Sequence, residues 1–361
     1  MLKNIVIRKT LVKVIACLLL ALAFSQPSKA VSFSLDSIAE WGKFPRFCIG
    51  VYRWGDKFFN SYDSTYVKGT GTKFNVKLTS DSWLDYYRFV LPNIDDTSLE
   101  NRYVDLVSRP STSIGVHLTY LAVSVGYDMN VSSIFNGVKD ARKRYQFGFN
   151  CALLGVEAYK ETSEVGTRMT RFGDMKHLDI PFDGIRSDSW GIDAYYFFNN
   201  KRYSQAAAFS YSKIQLRSQG SFYAGLSVYS QNYDFNFSGL EKYLLDRLPT
   251  EWIDYHFTTK TQNYGLRLGY GYNWVFAKNW LLAGTISPTI GVKHGFVNSD
   301  TSKTSFSLYN HLKFSIVWNS GRWFAGAQAS ADTAIVSDRQ SIFMGNDLNF
   351  TAAVGYRFNI W

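Results

Sequence analysis

The residues with the clearest capacity for chemistry lie on two neighbouring segments near the C-terminus. Pairing across a turn at 319–321 places His311 roughly opposite Gln328. Ser330 then lies diagonal to the histidine, and Asp332 follows on the same face. A serine beside a histidine is the arrangement of a nucleophile and its general base. The spacing therefore allows a hydrolase using Ser330 and His311, although the same side chains could form an inert polar ladder.

Other catalytic and ligand-binding patterns are missing from the sequence. The remaining histidines are scattered, without a partner at metal-ligand spacing (His117, His177, His256 and His294). Gly265, Gly269 and Gly271 alternate within one segment and precede no helix, so they indicate a crowded strand face and no phosphate loop. We therefore expect no metal and no cofactor.

The elements that carry these residues alternate with a period of two, which predicts β-strands. In 264–275 one face is apolar and aromatic, from Tyr264 to Trp274, while the other holds glycine, Arg267 and Asn273. The segments 121–130, 189–198 and 306–318 follow the same pattern. Aromatics at both ends of each apolar face are typical of membrane interfaces. The fold class is therefore all-β, a transmembrane antiparallel barrel.

Charged side chains lie on the faces that we expect to point into the lumen. Mixed signs at this density favour salt bridges that fill a small lumen, whereas a selective pore would favour one sign. A basic lumen that passes anions is the alternative. The predicted inward charges are Asp128, Asp193, Arg267, Lys293, Lys313, Asp332 and Arg357.

The last strand indicates how such a barrel is assembled. Gly355, Phe358 and Ile360, followed by Trp361, resemble the terminal strand that the barrel-assembly machinery reads in outer-membrane proteins. We therefore expect that machinery and outer-membrane lipids as partners. The sequence does not define the oligomeric state.

Connections between the strands predict short periplasmic turns and longer extracellular loops. Turns are expected near Tyr120, Leu153, 199–202, 277–279 and 319–321. The count is 12 strands. It becomes 14, which we favour, if a first strand covers about 72–80 and if 220–236 is a hairpin turning near Tyr229.

The N-terminus predicts export. Residues 1–30 combine basic residues, a short apolar core and small residues before a cleavage point after Ala30, as in a signal peptide, although an uncleaved anchor would look similar. Its five basic residues account for half of the net charge of +10, and the remaining +5 is too dispersed to indicate nucleic-acid binding. An aromatic-rich periplasmic segment at 31–70 could plug the lumen of a barrel at 71–361 or pack beneath it.

Composition and cysteine usage agree with this interpretation. A mean hydropathy of −0.15 excludes a polytopic helical membrane protein. Two cysteines remain after the signal, Cys48 and Cys151, and the sequence leaves open whether they pair.

Three segments resemble a known family. They are Tyr62 to Val67, Tyr195 to Phe209, and Arg217 to Phe222, although Arg217 and Gln219 depart from the usual Lys and Ala. This pattern is similar to domain of unknown function 4421, an uncharacterised family of Gram-negative outer-membrane proteins. The resemblance covers roughly 40–361. It implies a barrel and supplies no activity or functional residue.

Three functions fit these features. The first is a barrel of undefined activity with a largely filled lumen, serving envelope structure and interaction or small-solute transport. The second is an open, porin-like passive pore. The third is a membrane-embedded hydrolase using Ser330 and His311. We favour the first, and enzymatic activity is the less favoured outcome.

Overall fold

The computed structural model describes residues 60–91, 102–132, 141–182, 185–246, 248, 256–297, 303–337 and 342–359. The strands are β1 (Val67–Gly69), β2 (Phe74–Leu91), β3 (Arg102–Ser108), β4 (Ser111–Tyr120), β5 (Val123–Asn130), β6 (Ala141–Asn150), β7 (Leu154–Glu164), β8 (Thr167–Phe172), β9 (Met175–Phe182), β10 (Ile185–Phe197), β11 (Lys213–Gln215), β12 (Gln219–Asn236), β13 (His256–Ala277), β14 (Trp280–Val297), β15 (Lys303–Ser320), β16 (Trp323–Ser337) and β17 (Ile342–Phe358). Two short helical turns are α1 (Ala206–Ser210, π-helical) and α2 (Lys242–Leu245). In the described residues, no helix has the length and apolar character needed to cross a membrane.

Twelve of these strands form a closed antiparallel barrel. Their order is β2, β4, β5, β6, β7, β10, β12, β13, β14, β15, β16 and β17, and β17 closes the ring by pairing with β2 along its whole length, from Phe358↔Phe74 to Ile342↔Val90. The predicted barrel is confirmed. Because closure leaves no unpaired edge in the wall, every strand can hydrogen-bond on both sides within the membrane.

The strand count is 12 in the barrel wall, with extra strands outside it. A first strand forms where expected and continues to Leu91 as β2. The favoured hairpin at Tyr229 does not form, because β12 pairs without interruption with β13 from Gln219 to Asn236. The phase is kept instead because residues 198–218 stay at one end of the barrel, so β12 follows β10 directly as its antiparallel neighbour. Strands β3, β8 and β9 extend the sheet from the second half of β2.

The outer surface is apolar, as alternation requires. On β13, Tyr264, Leu266 and Leu268 are each about half exposed. On the opposite face of the same strand, Asn263 and Arg267 are buried. Aromatic rings contact one another around the periplasmic rim, with Trp323 and Tyr356 at 4.9 Å between ring centroids. An apolar band bounded by aromatics is the surface that lipid contacts in a membrane barrel.

Short turns lie at one end of the barrel, at 121–122, 151–153, 278–279 and 321–322. One connection at this periplasmic end is much longer, namely residues 198–218 between β10 and β12. It does not extend the turn outward. Its central part folds into the lumen and determines the architecture of the interior.

Candidate functional site

The periplasmic end of the lumen is filled by residues 203–215, which we call the plug. Ala207, Ala208 and Tyr211 of the plug are completely buried. They pack against inward side chains of the wall, namely Leu281, Ala283, Val317, Phe324 and Ala353. Burial raises the pKa of Tyr211 to about 12, so this residue is a neutral phenol at physiological pH. The lumen is therefore occupied at this level by apolar protein atoms.

Wall side chains hold the plug by donating hydrogen bonds to it. Ser315 Oγ donates to the Ala208 carbonyl at 3.0 Å. Gln328 Nε2 donates to the Phe209 carbonyl at 3.2 Å and to the Tyr211 hydroxyl at 2.7 Å. These bonds satisfy plug groups that would otherwise be buried without partners.

Arg357, predicted to face the lumen, is the strongest of these anchors. It is completely buried and donates through Nε and Nη2 to the Tyr211 carbonyl, at 3.1 and 2.7 Å. Its Nη1 donates to the Gly321 carbonyl at 2.8 Å. The guanidinium of the last strand thereby joins the plug to the β15–β16 turn.

The N-terminal end of the described chain braces the plug from outside. Strand β1 pairs with β11, and Ser204 Oγ donates to the Tyr62 hydroxyl at 3.2 Å. Gln215 Nε2 donates to the carbonyls of Tyr66, Arg202 and Arg217, at 3.3, 2.6 and 2.9 Å. All three segments that carry the family resemblance meet here. Of the predicted N-terminal segment at 31–70, residues 31–59 lie outside the described residues.

The extracellular end of the lumen is filled by a second set of apolar side chains, which we call the aromatic closure. Phe89 and Phe235 come from strands on opposite sides of the barrel, and their ring centroids are 5.0 Å apart. Phe257 and Phe343 lie 5.0 and 5.1 Å from Phe89. The closure also includes Tyr87, Val104, Leu106, Met169, Phe172, Phe182, Ile185, Phe237, Leu240, Leu244 and Leu248.

A polar chamber of about 240 Å³ lies between the plug and the aromatic closure. Its largest ion-pair network joins three strands. Arg142 contacts Asp85 at 3.1 Å and Glu161 at 2.9 Å, and Arg144 contacts Glu161 at 3.3 Å. Asp85 and Arg142 come from β2 and β6, so this network ties distant parts of the wall together.

The other predicted inward charges lie in pairs or in buried positions. Asp193 contacts Arg267 at 3.1 Å. Asp128 contacts His117 at 3.0 Å, and Lys313 contacts Glu157 at 2.8 Å. Lys293 is buried on β14, opposite Asn263 and Ser305. The arrangement is that of mixed charges filling an interior.

The predicted pairing of His311 is corrected by the structure. The β15–β16 turn lies at Gly321–Arg322, so Asp332 lies directly opposite His311, and Ser315 lies opposite Gln328. His311 Nδ1 bonds to the Asp332 carboxylate, while Ser330 lies opposite Lys313. The histidine is therefore engaged by an acid, and a serine nucleophile is not positioned by a hydrogen bond to it.

The terminal strand and the cysteines complete the predicted sites. Phe358 stacks on Phe74 at 5.6 Å, where β17 meets β2. Gly355 faces the Phe324 ring on the inner wall. Ile360, Trp361 and Cys48 lie outside the described residues. Cys151 is buried, and its Sγ accepts a bond from the Leu154 N–H at 3.2 Å.

Several chamber residues were missed by the sequence analysis. Asp85, Asp347, Arg142 and Glu161 are absent from the predicted inward charges. A signal was present for Asp85, because Asp81, Trp83, Asp85 and Tyr87 continue the alternation of β2 past residue 80. Polar outward residues at Ser80 and Ser82 hid this continuation.

The closed wall, the apolar outer face and the filled polar interior define a β-barrel of the outer-membrane type. The chain belongs to the family described as a domain of unknown function (DUF4421), whose model matches residues 61–358.

Solved structures with a similar fold include the outer-membrane protease OmpT of Escherichia coli, at 8% identity and a TM-score of 0.40, covering 81% of this chain and 98% of that one. The toluene transporter TodX of P. putida is 8% identical, with a TM-score of 0.29, covering 80% and 90%. The translocator domain of autotransporter NalP from Neisseria meningitidis is 12% identical, with a TM-score of 0.28, covering 80% and 89%. Comparison with curated proteins found no matching sequence.

Proposed function

We propose that this chain is an outer-membrane barrel that is closed at rest and admits small polar solutes only when its plug moves. The observation that carries the proposal is the polar chamber held between the plug and the aromatic closure. A barrel serving only as a scaffold could fill this volume with apolar side chains at lower electrostatic cost. Export by residues 1–30, with cleavage after Ala30, and insertion by the assembly machinery are parts of the same proposal.

The two other functions fit the geometry less well. An open passive pore requires a continuous aqueous path, and Phe89 and Phe235 meet across the lumen. A hydrolase requires an activated nucleophile that substrate can reach, whereas His311 is bonded to Asp332 between the two obstructions. A purely structural or envelope-interacting barrel is the remaining alternative, and the following experiment separates it from transport.

The test is single-channel recording in planar bilayers. The wild-type chain should show no steady current. The double variant Ser315→Ala/Gln328→Ala removes two anchors of the plug, each worth about 1 kcal/mol, so undocking should become roughly thirtyfold more frequent. Because Phe89 and Phe235 obstruct the other end of the lumen, this variant is combined with Phe89→Ala/Phe235→Ala, and brief openings should then appear. The control is Gln146→Ala, since Gln146 bonds to Asp128 in the chamber and does not touch the plug.

Two results would contradict this proposal. Large stable currents from the wild-type chain would establish an open pore. A combined plug and closure variant that is correctly folded but never conducts would leave the structural or envelope-interaction role.

A further inference from the structure

Three aspartates occupy directly paired positions on neighbouring strands of the chamber wall. Asp347 of β17 lies opposite Asp85 of β2 on one side and opposite Asp332 of β16 on the other. Side chains at such positions have their Cβ atoms about 4.5–5.5 Å apart, where like charges destabilise the sheet. A row of three acids therefore requires compensation.

Two members of the row are compensated by the protein itself. Asp85 contacts Arg142 at 3.1 Å, and Asp332 bonds to His311. The Asp347 carboxylate lines the chamber and has no hydrogen-bond or ion-pair partner among the described residues. It interacts electrostatically, at longer range, with Asp85, Arg142 and Asp332. One carboxyl group on the chamber wall is thus left without a partner among the described residues.

The surroundings of Asp347 are suited to a positive charge. The rings of Tyr233 and Tyr309 line the same chamber, and the faces of aromatic rings attract cations, as the Tyr159 ring beside them shows by carrying the Arg144 guanidinium at 4.9 Å. Carboxylates outnumber lysine and arginine in the chamber lining by six to five, and its two histidines, His117 and His311, are each bonded to an aspartate. The environment therefore favours a cationic ligand over an anionic one.

A metal ion needs several coordinating side chains. In the part of the chain that the structure describes, no group of three or more histidine, cysteine, aspartate or glutamate side chains is arranged to hold one. Aromatic rings beside a single free carboxylate instead match an ammonium group, which donates hydrogen bonds to the acid and presents apolar carbons to the rings.

We propose that the chamber binds a small organic cation, with its ammonium group held by Asp347 beneath the aromatic closure. This names the substrate class of the gated barrel proposed above, and it rests on that function only for the route by which the ligand enters. The binding site itself is defined by Asp347, the tyrosine rings and the excess of carboxylates.

The experiment is calorimetric titration of the full chain in detergent with 1,4-diaminobutane. The uncharged 1,4-butanediol, of the same length, is the ligand control. The diamine should bind saturably and the diol should not. Asp347→Asn should weaken diamine binding at least tenfold, because a charge-assisted hydrogen bond is lost. Asp188→Asn, an exposed acid on β10 that accepts a bond from Thr162, should leave binding unchanged.

Each titration is repeated with the plug variant Ser315→Ala/Gln328→Ala, so that entry through the plug does not limit the result. Absence of diamine binding in both proteins overturns the proposal, as does equal binding by the diol or full binding by Asp347→Asn. The proposal is also overturned if Asp347 takes up a proton and the wild-type chain binds no diamine. Conductance tests gating and calorimetry tests the ligand class, so the two proposals can fail separately.

Discussion

The size of each side chain on the inner wall is limited by the space that its neighbours leave. A Cβ added at Gly355 would lie 2.1 Å from Cζ of Phe324, and one added at Gly326 would lie 2.7 Å from the Tyr211 hydroxyl. Phe324 cannot move aside, since it is completely buried and stacks on Tyr211 at 4.9 Å. Glycine at these positions makes room for the plug.

Gly355→Ala should therefore destabilise the barrel. Overpacking of this kind costs about 1–3 kcal/mol of unfolding free energy, which urea titration of the chain in lipid vesicles would measure. Gly345→Ala is the matched control on the same strand, because its nearest neighbour would be Phe343 at an ordinary 3.6 Å. Equal stability of the two variants would refute the role given to Phe324.

At the residue scale, the sequence predicts which side chains point inward but not which of them meet. Alternation identifies Arg267 and Asp193 as inward, since only the face of a strand is needed. The partner of His311 depends on the exact turn between β15 and β16, and Gly321–Arg322 replaces the expected 319–321. Contacts such as Arg142 with Asp85 span several strands and leave no local signal.

Strand β17 is the element on which closure depends, because it pairs with β16 on one side and β2 on the other. Deleting Phe358 to Trp361 should block assembly in the outer membrane. The measurement is heat-modifiable migration of membrane fractions on gels. Phe350→Ala, which removes a lipid-facing aromatic from the middle of the same strand, should assemble normally. If the deletion variant assembled a normal heat-modifiable barrel, the terminal segment would not be part of the assembly signal.

Elements with strict alternation were predictable, and elements defined by tertiary contacts were not. The period of two and the short turns indicate most barrel strands. The plug has no such signature, because Ala206, Ala207 and Ala208 are favoured in its π-helical turn only through packing against the wall. In β12 the polar residues around Tyr229 resemble a turn, yet they are paired on both sides.

At the scale of the whole molecule, the plug and the aromatic closure obstruct the same path one after the other. Phe89→Ala/Phe235→Ala should therefore give no steady current by itself, since the plug still fills the periplasmic end. Combined with Ser315→Ala/Gln328→Ala, it should give openings that neither double variant gives alone. Bilayer recording of the three proteins is the measurement. Steady current from the aromatic variant alone would show that the plug does not close the lumen.

Arg357 also has a consequence for the order of events during biogenesis. The residue that holds the Tyr211 carbonyl lies in β17, 146 residues after Tyr211 in the chain, so it is synthesised later. The segment that it captures is made more than a hundred residues earlier. The plug therefore cannot reach its final docked position until β17 has joined the wall. Docking of the plug is a late step in biogenesis.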